Sequence, residues 1–263
     1  MLKVMTLVGT RPELIKMSRV IAEFDRHTRH LLVHTGQNFD YELNQVFFDE
    51  LEIRKPDYFL DAAGENAART IGQVIIRADE VLEKERPQAV LVYGDTNSTL
   101  AGALAAAKLY VPVVHVEAGL RSFNREMPEE INRILTDAIS DLLFCTEQSG
   151  VDNLLREGVS EDKVHLVGNV MIDTLLKNRP RFAESSILEE LGLTPEAFAA
   201  AREACRRLVE RSRSVSGSGT RPCTASIRAA VMPPIWTPSA NCRFFAGLAS
   251  AILPPMSAKG IFS

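Results

Sequence analysis

The chain has 263 residues, of which 46% are hydrophobic and 24% are charged, as in an ordinary soluble globular protein of one large or two small domains. Its net charge of −4, without a basic stripe interleaved with aromatic residues, argues against nucleic-acid binding, and its longest apolar run, Phe244 to Leu253, is shorter than the roughly 20 residues that a membrane-spanning helix needs. The four cysteines form no C-x-x-C pair, so the sequence offers no zinc knuckle, redox motif or disulfide scaffold, and it predicts a reducing, cytoplasmic location.

Short apolar runs alternate with amphipathic stretches from the first residues to about residue 205. Lys3 to Val8 predicts a buried strand, and Pro12 suits the first turn of the helix that follows. Further strands are predicted over Leu31–His34, Gln88–Tyr93, Val111–Val116, Leu142–Cys145 and Val164–Val167. Further helices are predicted over Tyr41–Leu51, Ala67–Lys84, Ser98–Leu109, Pro128–Ala138 and Gln148–Arg156. This alternation predicts the α/β class, with a doubly wound, Rossmann-like parallel sheet covered by helices on both faces.

The composition changes near residue 210. Met1 to Glu210 contains 34 acidic and 24 basic residues, whereas Arg211 to Ser263 contains six basic residues and no acidic residue. A disordered basic tail would explain this, but Trp236 and the cysteines are unusual in a solvated linker, so we favour out-of-frame translation of a GC-rich gene. We expect an N-terminal domain over residues 1–180, a linker or the start of a lost second domain over 181–210, and an unstructured tail over 211–263.

Ligands of a doubly wound sheet bind beyond the carboxyl ends of its strands, so the residues directly after each strand are the site candidates. The first strand is followed by Gly9-Thr10-Arg11-Pro12-Glu13, with Lys16 one turn further along. A helix N-terminus favours an anion, and Arg11 and Lys16 would add positive charge for a phosphate. The segment is neither a G-x-G-x-x-G fingerprint nor a P-loop, and a plain turn with surface basic residues is the alternative.

Three carboxylates occupy comparable places further along the chain. Asp95 follows the strand that ends at Tyr93, Glu117 follows the next strand, and Glu129 lies in the first turn of a helix. Asp95 has an alternative role as a helix N-cap, and Glu129 could complement the helix dipole and pair with Arg133 four residues later. The alternative is weaker for Glu117, because a carboxylate at the tip of a buried strand needs a partner.

The three carboxylates and the two basic residues are expected at one rim of the sheet. Carboxylates beside basic groups suit an anionic substrate that gains or loses a proton. His115 is interpreted as a structural histidine. The sequence shows no Cys–His or Ser–His–Asp arrangement. The carboxylates are possible metal ligands, but a spaced histidine pair is lacking, so neither a metal nor a cofactor is predicted.

Five blocks of residues together resemble the non-hydrolysing UDP-N-acetylglucosamine 2-epimerases. The blocks are Gly9 to Glu13 with Lys16, Gly94-Asp95-Thr96, His115 to Arg121, Pro128-Glu129-Glu130 with Asn132-Arg133, and Gly168-Asn169 with Asp173. Their order and spacing match the family, and the resemblance covers about residues 2 to 195.

The resemblance implies a GT-B-like architecture of two Rossmann-like domains, of which this chain carries the N-terminal half. It implies interconversion of UDP-N-acetylglucosamine and UDP-N-acetylmannosamine by elimination of UDP with loss of the C2 proton, followed by re-addition. By position, the catalytic carboxylates would be Asp95, Glu117 and Glu129, and the substrate-binding residues would be Arg11, Lys16 and Arg133. It also implies a UDP-sugar as the partner molecule, a possible homodimer and a role in polysaccharide biosynthesis.

The sequence departs from the family after about residue 195. A second domain with a catalytic histidine and a UDP site is expected there and is absent, so we expect the chain as given to be inactive or nearly so, since positioning supplies up to about 7–11 kcal/mol of a barrier. The alternatives are an inactive remnant or nucleotide-sugar binding fragment, and half of a GT-B glycosyltransferase. Thr35 to Asn38 and Ser122 to Asn124 resemble relatives that act on deoxygenated amino sugars, which are the alternative substrates.

Overall fold

The computed structural model describes residues 1–36, 48, 50–182, 184–192, 194, 196–197, 199–200 and 203. Its described residues divide into two compact units, the first over Met1–Leu176 and the second beginning at Lys177. Most of the helix predicted over Tyr41–Leu51, and all of the tail predicted over 211–263, lie outside the described residues. The predicted domain boundaries stay predictions.

The first unit alternates strands and helices along the chain. The strands are β1 (Lys3–Val8), β2 (Arg29–His34), β3 (Tyr58–Phe59), β4 (Ala89–Tyr93), β5 (Val113–Val116), β6 (Leu142–Cys145) and β7 (Val164–Leu166). The helices are α1 (Arg11–His27), α2 (Ala67–Glu85), α3 (Asn97–Lys108), α4 (Pro128–Ile139), α5 (Gln148–Arg156) and α6 (Val170–Phe182), which continues past Leu176, and a 3-10 turn spans Glu161–Lys163. In the second unit, α7 (Ile187–Glu190) is a single helical turn.

All seven strands are parallel and form one sheet in the order β3-β2-β1-β4-β5-β6-β7. The predicted doubly wound α/β fold is therefore confirmed. The direction of winding reverses between β1 and β4, which pair from Val4 with Ala89 to Thr6 with Leu91. In such sheets this reversal opens a crevice beyond the strand ends, and ligands bind there.

Apolar side chains cover both faces of the sheet. On one face α1 buries Met17, Ile21 and Phe24 against the strands, and this cluster extends to Phe144. On the other face α2 and the alanine-rich α3 pack together with Leu7 and the neighbouring strands. Because both faces are covered, the strands carry the continuous apolar runs from which they were predicted.

Helix α3 lies close against β1 because the residues on its inner face have small side chains. A Cβ added at Gly102 would lie 2.9 Å from Leu7 Cδ2, so a larger residue there would push the helix off the sheet. This packing fixes the position of the turn between β4 and α3.

None of the helices in the described ranges combines the length and the apolar character that a bilayer span requires.

Candidate active site

A cavity of about 550 Å³ opens at the carboxyl ends of β1, β4 and β5, where the strand order reverses. Lys16, Asp95, Glu117 and Glu129 all line it, so the structure brings together four of the six predicted site residues. Its other lining residues are Thr10, Pro12, Glu13, Ala67, Tyr93, Gly94, Thr96, Asn97, Pro128 and Asn132. Arg11 and Arg133 do not line the cavity.

Lys16 and Glu117 form the charged floor of this cavity. The ammonium group of Lys16 lies 3.3 Å from each carboxylate oxygen of Glu117 and 5.1 Å from the centre of the Tyr93 ring. Glu117 has a backbone φ of +71°, in the left-handed region that residues other than glycine rarely adopt. Its amide donates to the Phe144 carbonyl at 3.0 Å, so β6 holds this turn in place. Such conformations persist where the surroundings enforce them, and they are frequent at functional sites.

Asp95 is held by helix α4. Its carboxylate accepts from the guanidinium of Arg133, and its backbone carbonyl accepts from the side-chain amide of Asn132 at 2.9 Å. The alternative role of Asp95 as a helix N-cap is wrong, because the N-cap of α3 is Thr96, whose hydroxyl accepts from the Thr99 amide at 3.1 Å. The carboxylate of Asp95 is therefore left for the cavity and for Arg133.

Arg133 holds two carboxylates at once. Besides Asp95 it donates to Glu130 at 2.8 Å, and these two are its ion-pair partners in the described part of the chain. Burial acts to lower the pKa of Arg133, but its contacts with Asp95 and Glu130 outweigh burial and raise the pKa. The alternative pairing with Glu129 is thus replaced by a pair one residue later. The contact with substrate implied for Arg133 stays a prediction.

Glu129 and Glu130 are adjacent, yet their environments differ. Glu129 lines the cavity, whereas the carboxylate of Glu130 is buried and accepts from the backbone amides of Ser122 and Phe123 at 3.0 and 2.9 Å. Burial acts to raise the pKa of Glu130, but these amides and Arg133 lower it on balance. Glu130 is therefore a fixed anion that orders the loop before α4, and Glu129 is the glutamate available for chemistry.

Glu13 joins the turn after β1 to the turn after β4, and sequence reasoning did not place it among the site residues. One carboxylate oxygen accepts from the amides of Gly9 and Thr10, both at 2.7 Å, and the other accepts from the hydroxyls of Thr96 and Thr99. Burial raises its pKa, although these hydrogen bonds oppose the change. A Thr-x-x-Glu capping box at positions 10 to 13 was the signal that could have revealed it.

The role of Glu13 limits anion binding at the first helix. The carboxylate of Glu13 already accepts from the amides of Gly9 and Thr10, so those two groups are not offered to a phosphate. The expectation that this helix terminus favours an anion stays a prediction. Lys16 is left as the predicted cation that faces the cavity. Arg11 lies outside the lining, and its contact with substrate stays a prediction.

His115 is structural, as predicted. It is fully buried, its Nδ1 lies 2.6 Å from the carboxylate of Asp137, and its Nε2 lies 2.7 Å from the Gly94 carbonyl oxygen. Asp137 also accepts from the amide of Gly119 at 3.1 Å and from Arg121 at 2.7 Å. This network fixes the turns that carry Asp95 and Glu117.

Other chemistries find little support in the described residues. Burial raises the pKa of the Cys145 thiol to about 12, so it is no nucleophile near neutral pH. Within the described ranges, no three His, Cys, Asp or Glu side chains are arranged to hold a metal ion.

The fold and the cavity together define a class: a doubly wound α/β domain with a cavity lined by carboxylates and a lysine at its switch point. The profile of the UDP-N-acetylglucosamine 2-epimerase family matches residues 22–201. The chain belongs to this family.

Three similar proteins illustrate the relationship. The UDP-2,3-diacetamido-2,3-dideoxy-D-glucuronate 2-epimerase of Pseudomonas aeruginosa is 51% identical over 179 residues, which are 66% of this chain and 51% of that protein. The structure of UDP-N-acetylglucosamine 2-epimerase from Rickettsia bellii is 54% identical, with a TM-score of 0.70 over 74% of this chain and 52% of the other. The structure of the Methanocaldococcus jannaschii UDP-GlcNAc 2-epimerase in complex with UDP-GlcNAc and UDP is 42% identical, with a TM-score of 0.68 over 72% and 53%. The chain spans about half the length of the relatives that it matches.

Proposed function

We propose that this domain supplies the acid–base half of a nucleotide-sugar 2-epimerase site, which interconverts UDP-N-acetylglucosamine and UDP-N-acetylmannosamine. The observation that carries the proposal is the meeting of Asp95, Glu117 and Glu129 with Lys16 around one cavity at the switch point of the sheet. The family supports the reaction class, and the complex of the M. jannaschii relative with UDP-GlcNAc supports the substrate class.

The chemistry of the reaction requires such a set of residues. The C2 hydrogen has no adjacent carbonyl group, so its removal is eased by departure of an anionic leaving group. A cavity carboxylate takes the C2 proton, the electron pair of the C2–H bond forms the C1=C2 double bond, and the C1–O bond breaks with its pair going to UDP. A protonated carboxyl group on the opposite face then delivers a proton to C2, and UDP adds again at C1, which gives the epimer. Lys16 is the lining cation that would face the leaving phosphate.

Deuterium exchange at C2 tests the proposal without requiring complete turnover. We would incubate the 263-residue chain with UDP-N-acetylglucosamine in D₂O and follow the C2 proton by NMR. The proposal expects slow loss of this signal, because a proton removed by a carboxylate is replaced by solvent deuterium. Absence of any loss above a protein-free blank would contradict the proposal.

Carboxamide variants assign the exchange to the cavity. Asp95→Asn, Glu117→Gln and Glu129→Gln should each reduce the exchange rate at least ~100-fold, the lower end of general acid–base contributions. Glu126→Gln is the matched control, because Glu126 is exposed in the loop before α4 and does not line the cavity. Equal exchange rates in all variants would show that residues other than these three remove the C2 proton. Binding without exchange, detected by saturation-transfer NMR, would favour the binding-fragment alternative.

A second nucleotide sugar is a candidate substrate and can be tested by the same exchange assay. The relative named UDP-2,3-diacetamido-2,3-dideoxy-D-glucuronate 2-epimerase is 51% identical to the chain, so we also propose this uronate as a candidate substrate. Parallel exchange reactions with equal concentrations of the two nucleotide sugars would rank them. Faster exchange on the uronate would assign the chain to that branch of the family.

We further propose a cytoplasmic location, which the cysteine pattern suggests, and a homodimer, which the family resemblance implies. Light scattering on the purified chain tests the second point. A mass twice that of one chain supports the dimer, and the mass of one chain contradicts it.

A further inference from the structure

Two side-chain amides line the cavity beside Asp95, and the proposed reaction uses neither of them. Asn97 is the first residue of α3, and Asn132 lies in the second turn of α4. The amide nitrogen Nδ2 of Asn132 donates to the backbone carbonyl of Asp95 at 2.9 Å and to Oδ1 of Asn97 at 3.1 Å. Asn132 therefore joins α4 both to the turn that carries Asp95 and to the start of α3.

These two contacts fix the orientation of the Asn97 amide. The carbonyl of Asp95 belongs to the backbone and can only accept, so the nitrogen of Asn132, and not its oxygen, must face it. The same nitrogen faces Asn97, whose oxygen must then turn towards it, because two amide nitrogens do not bond to each other. The Nδ2 group of Asn97 is therefore directed away from Asn132. Within the described ranges this group makes no hydrogen bond, so it is an oriented donor in the lining of the cavity.

The charges around Asn97 select the kind of group that its amide can bind. The carboxylates of Asp95 and Glu117 line the same cavity, and the lining cation, Lys16, pairs with Glu117 at 3.3 Å. A phosphate next to Asp95 would be repelled by its charge and is better matched to Lys16. A neutral N–H donor among carboxylates suits a neutral acceptor, such as the carbonyl oxygen of an amide.

Both candidate substrates carry a neutral acceptor of this kind at the reacting carbon. UDP-N-acetylglucosamine and the diacetamido uronate each have an acetamido group at C2, where the proposed reaction removes and returns a proton. The carbonyl oxygen of this group lies close to C2, so a donor in the same turn as Asp95 is well placed to reach it.

We propose that Asn97 is a specificity-determining residue, whose Nδ2 group donates to the carbonyl oxygen of the C2 acetamido group. The inference rests on the proposed function for the placement of C2 beside the cavity carboxylates, and it names the group by which the site recognises its substrate. Asn132 orients Asn97 for this contact. Because the acetamido group is held next to Asp95, the same contact also fixes the direction in which the C2 hydrogen points.

Affinities for two nucleotide sugars test the proposal, because UDP-glucose has a hydroxyl group in place of the acetamido group. NMR titration of the 263-residue chain gives both dissociation constants. Asn97→Asp replaces the NH₂ group by an oxygen and keeps an acceptor for Asn132, whereas Asn97→Ala removes the amide without adding charge. Each variant should lower the preference for UDP-N-acetylglucosamine over UDP-glucose roughly tenfold, the effect of losing one hydrogen bond.

The preference is a ratio of two affinities, so a general loss of affinity for anionic ligands cancels from it. Asn66→Asp is the matched control, because its oxygen can still accept from the Arg69 amide and its charge lies next to Ala67, which lines the cavity. This control should leave the preference unchanged, and a fall as large as that of Asn97→Asp would overturn the proposal.

Three further results would overturn the assignment of Asn97. They are a preference that survives in both Asn97 variants, equal affinities of the wild-type chain for the two nucleotide sugars, and failure of the wild-type chain to bind either one. Absence of C2 exchange would count against the proposed function alone, since these affinities do not depend on proton transfer.

Discussion

His115 and Asp137 meet at 2.6 Å in the interior of the first unit, although 22 residues separate them in the chain. The pair connects two of the turns that form the cavity. Through its other ring nitrogen His115 binds the carbonyl of Gly94, next to Asp95, and through its second oxygen Asp137 binds the amide of Gly119, two residues after Glu117. Two buried groups that line no part of the cavity thus set the distance between two cavity carboxylates.

Replacement of Asp137 by Asn should lower the free energy of unfolding by roughly 3 kcal/mol, because it removes a buried anion that His115, the Gly119 amide and Arg121 share, even though Arg121 keeps its ion pair with Glu157. Arg121 donates to this carboxylate from a side chain that is 1% exposed, so water does not compensate for the loss. Urea denaturation followed by circular dichroism measures the change. Glu65→Gln is the control, since its ion pair with Arg69 is exposed and contributes little. A shift for Asp137→Asn no larger than that of the control would contradict the structural role.

Gly119 and Gly158 offer a matched pair for the turn after Glu117. Both have left-handed backbones, with φ of +78° and +87°. A Cβ at Gly119 would lie 2.3 Å from the carbonyl oxygen of Gly150, whereas a Cβ at Gly158 would have no atom within 4 Å. Gly158→Ala should therefore cost only the left-handed strain, about 1 kcal/mol, and Gly119→Ala should cost roughly 3 kcal/mol or more. Similar losses in chemical denaturation would show that α5 yields to the added methyl group.

The strands and helices could be predicted from the sequence wherever an apolar run was long and ended at a glycine, a proline or a polar turn. The bounds of β1, β6 and α5 are as predicted, and the other predicted strands and helices among the described residues differ by a few residues. The strand predicted from Val111 begins at Val113, because Pro112 has no amide hydrogen to donate to the sheet. Strand β3 was missed because two residues show no period, and α6 was missed because Pro180 interrupts its pattern.

The candidate site could be predicted from the sequence only in part. Parallel strands end at one edge, so residues that follow them were expected to meet, and Asp95, Glu117 and Lys16 do meet. Which side chains hold one another was not readable, because the contact between Glu13 and Thr96 spans 83 positions and depends on rotamers that no local pattern encodes. The same limit applies to Arg133, for which the family resemblance implied a contact with substrate but whose described ion-pair partners are carboxylates.

His34 should make stability depend on pH. Its side chain is buried, and burial lowers its pKa from 6.5 to about 4. Between these values the unfolded chain binds a proton that the folded chain does not, so stability is lost as the pH falls from about 6.5 to 4. One pKa unit corresponds to about 1.4 kcal/mol, which limits the loss to about 3 kcal/mol.

The variant His34→Gln isolates this contribution. Urea midpoints measured from pH 7 to pH 4 should fall less steeply for His34→Gln than for the wild type. His27→Gln, at a side chain that is 62% exposed, should keep a slope close to that of the wild type. A His34→Gln slope identical to the wild-type slope would assign the acid sensitivity to other groups.

Variants of Arg133 distinguish between two roles for this residue, which are binding the substrate and positioning Asp95 and Glu130. If Arg133 mainly holds Asp95 and Glu130, Arg133→Met should lower the free energy of unfolding by about 2 kcal/mol, because buried Glu130 loses its cation. Arg133→Lys should recover only part of this loss, because one ammonium group cannot reach both carboxylates as the planar guanidinium group does. Arg26→Met is the control and should change stability little, because Arg26, which pairs with Glu23, is itself exposed.

If instead Arg133 binds a phosphate, Arg133→Met should weaken UDP binding in calorimetry while leaving the unfolding midpoint near that of the wild type. Urea denaturation and UDP titration of the same three variants therefore decide between the role suggested by the sequence and the role suggested by the contacts.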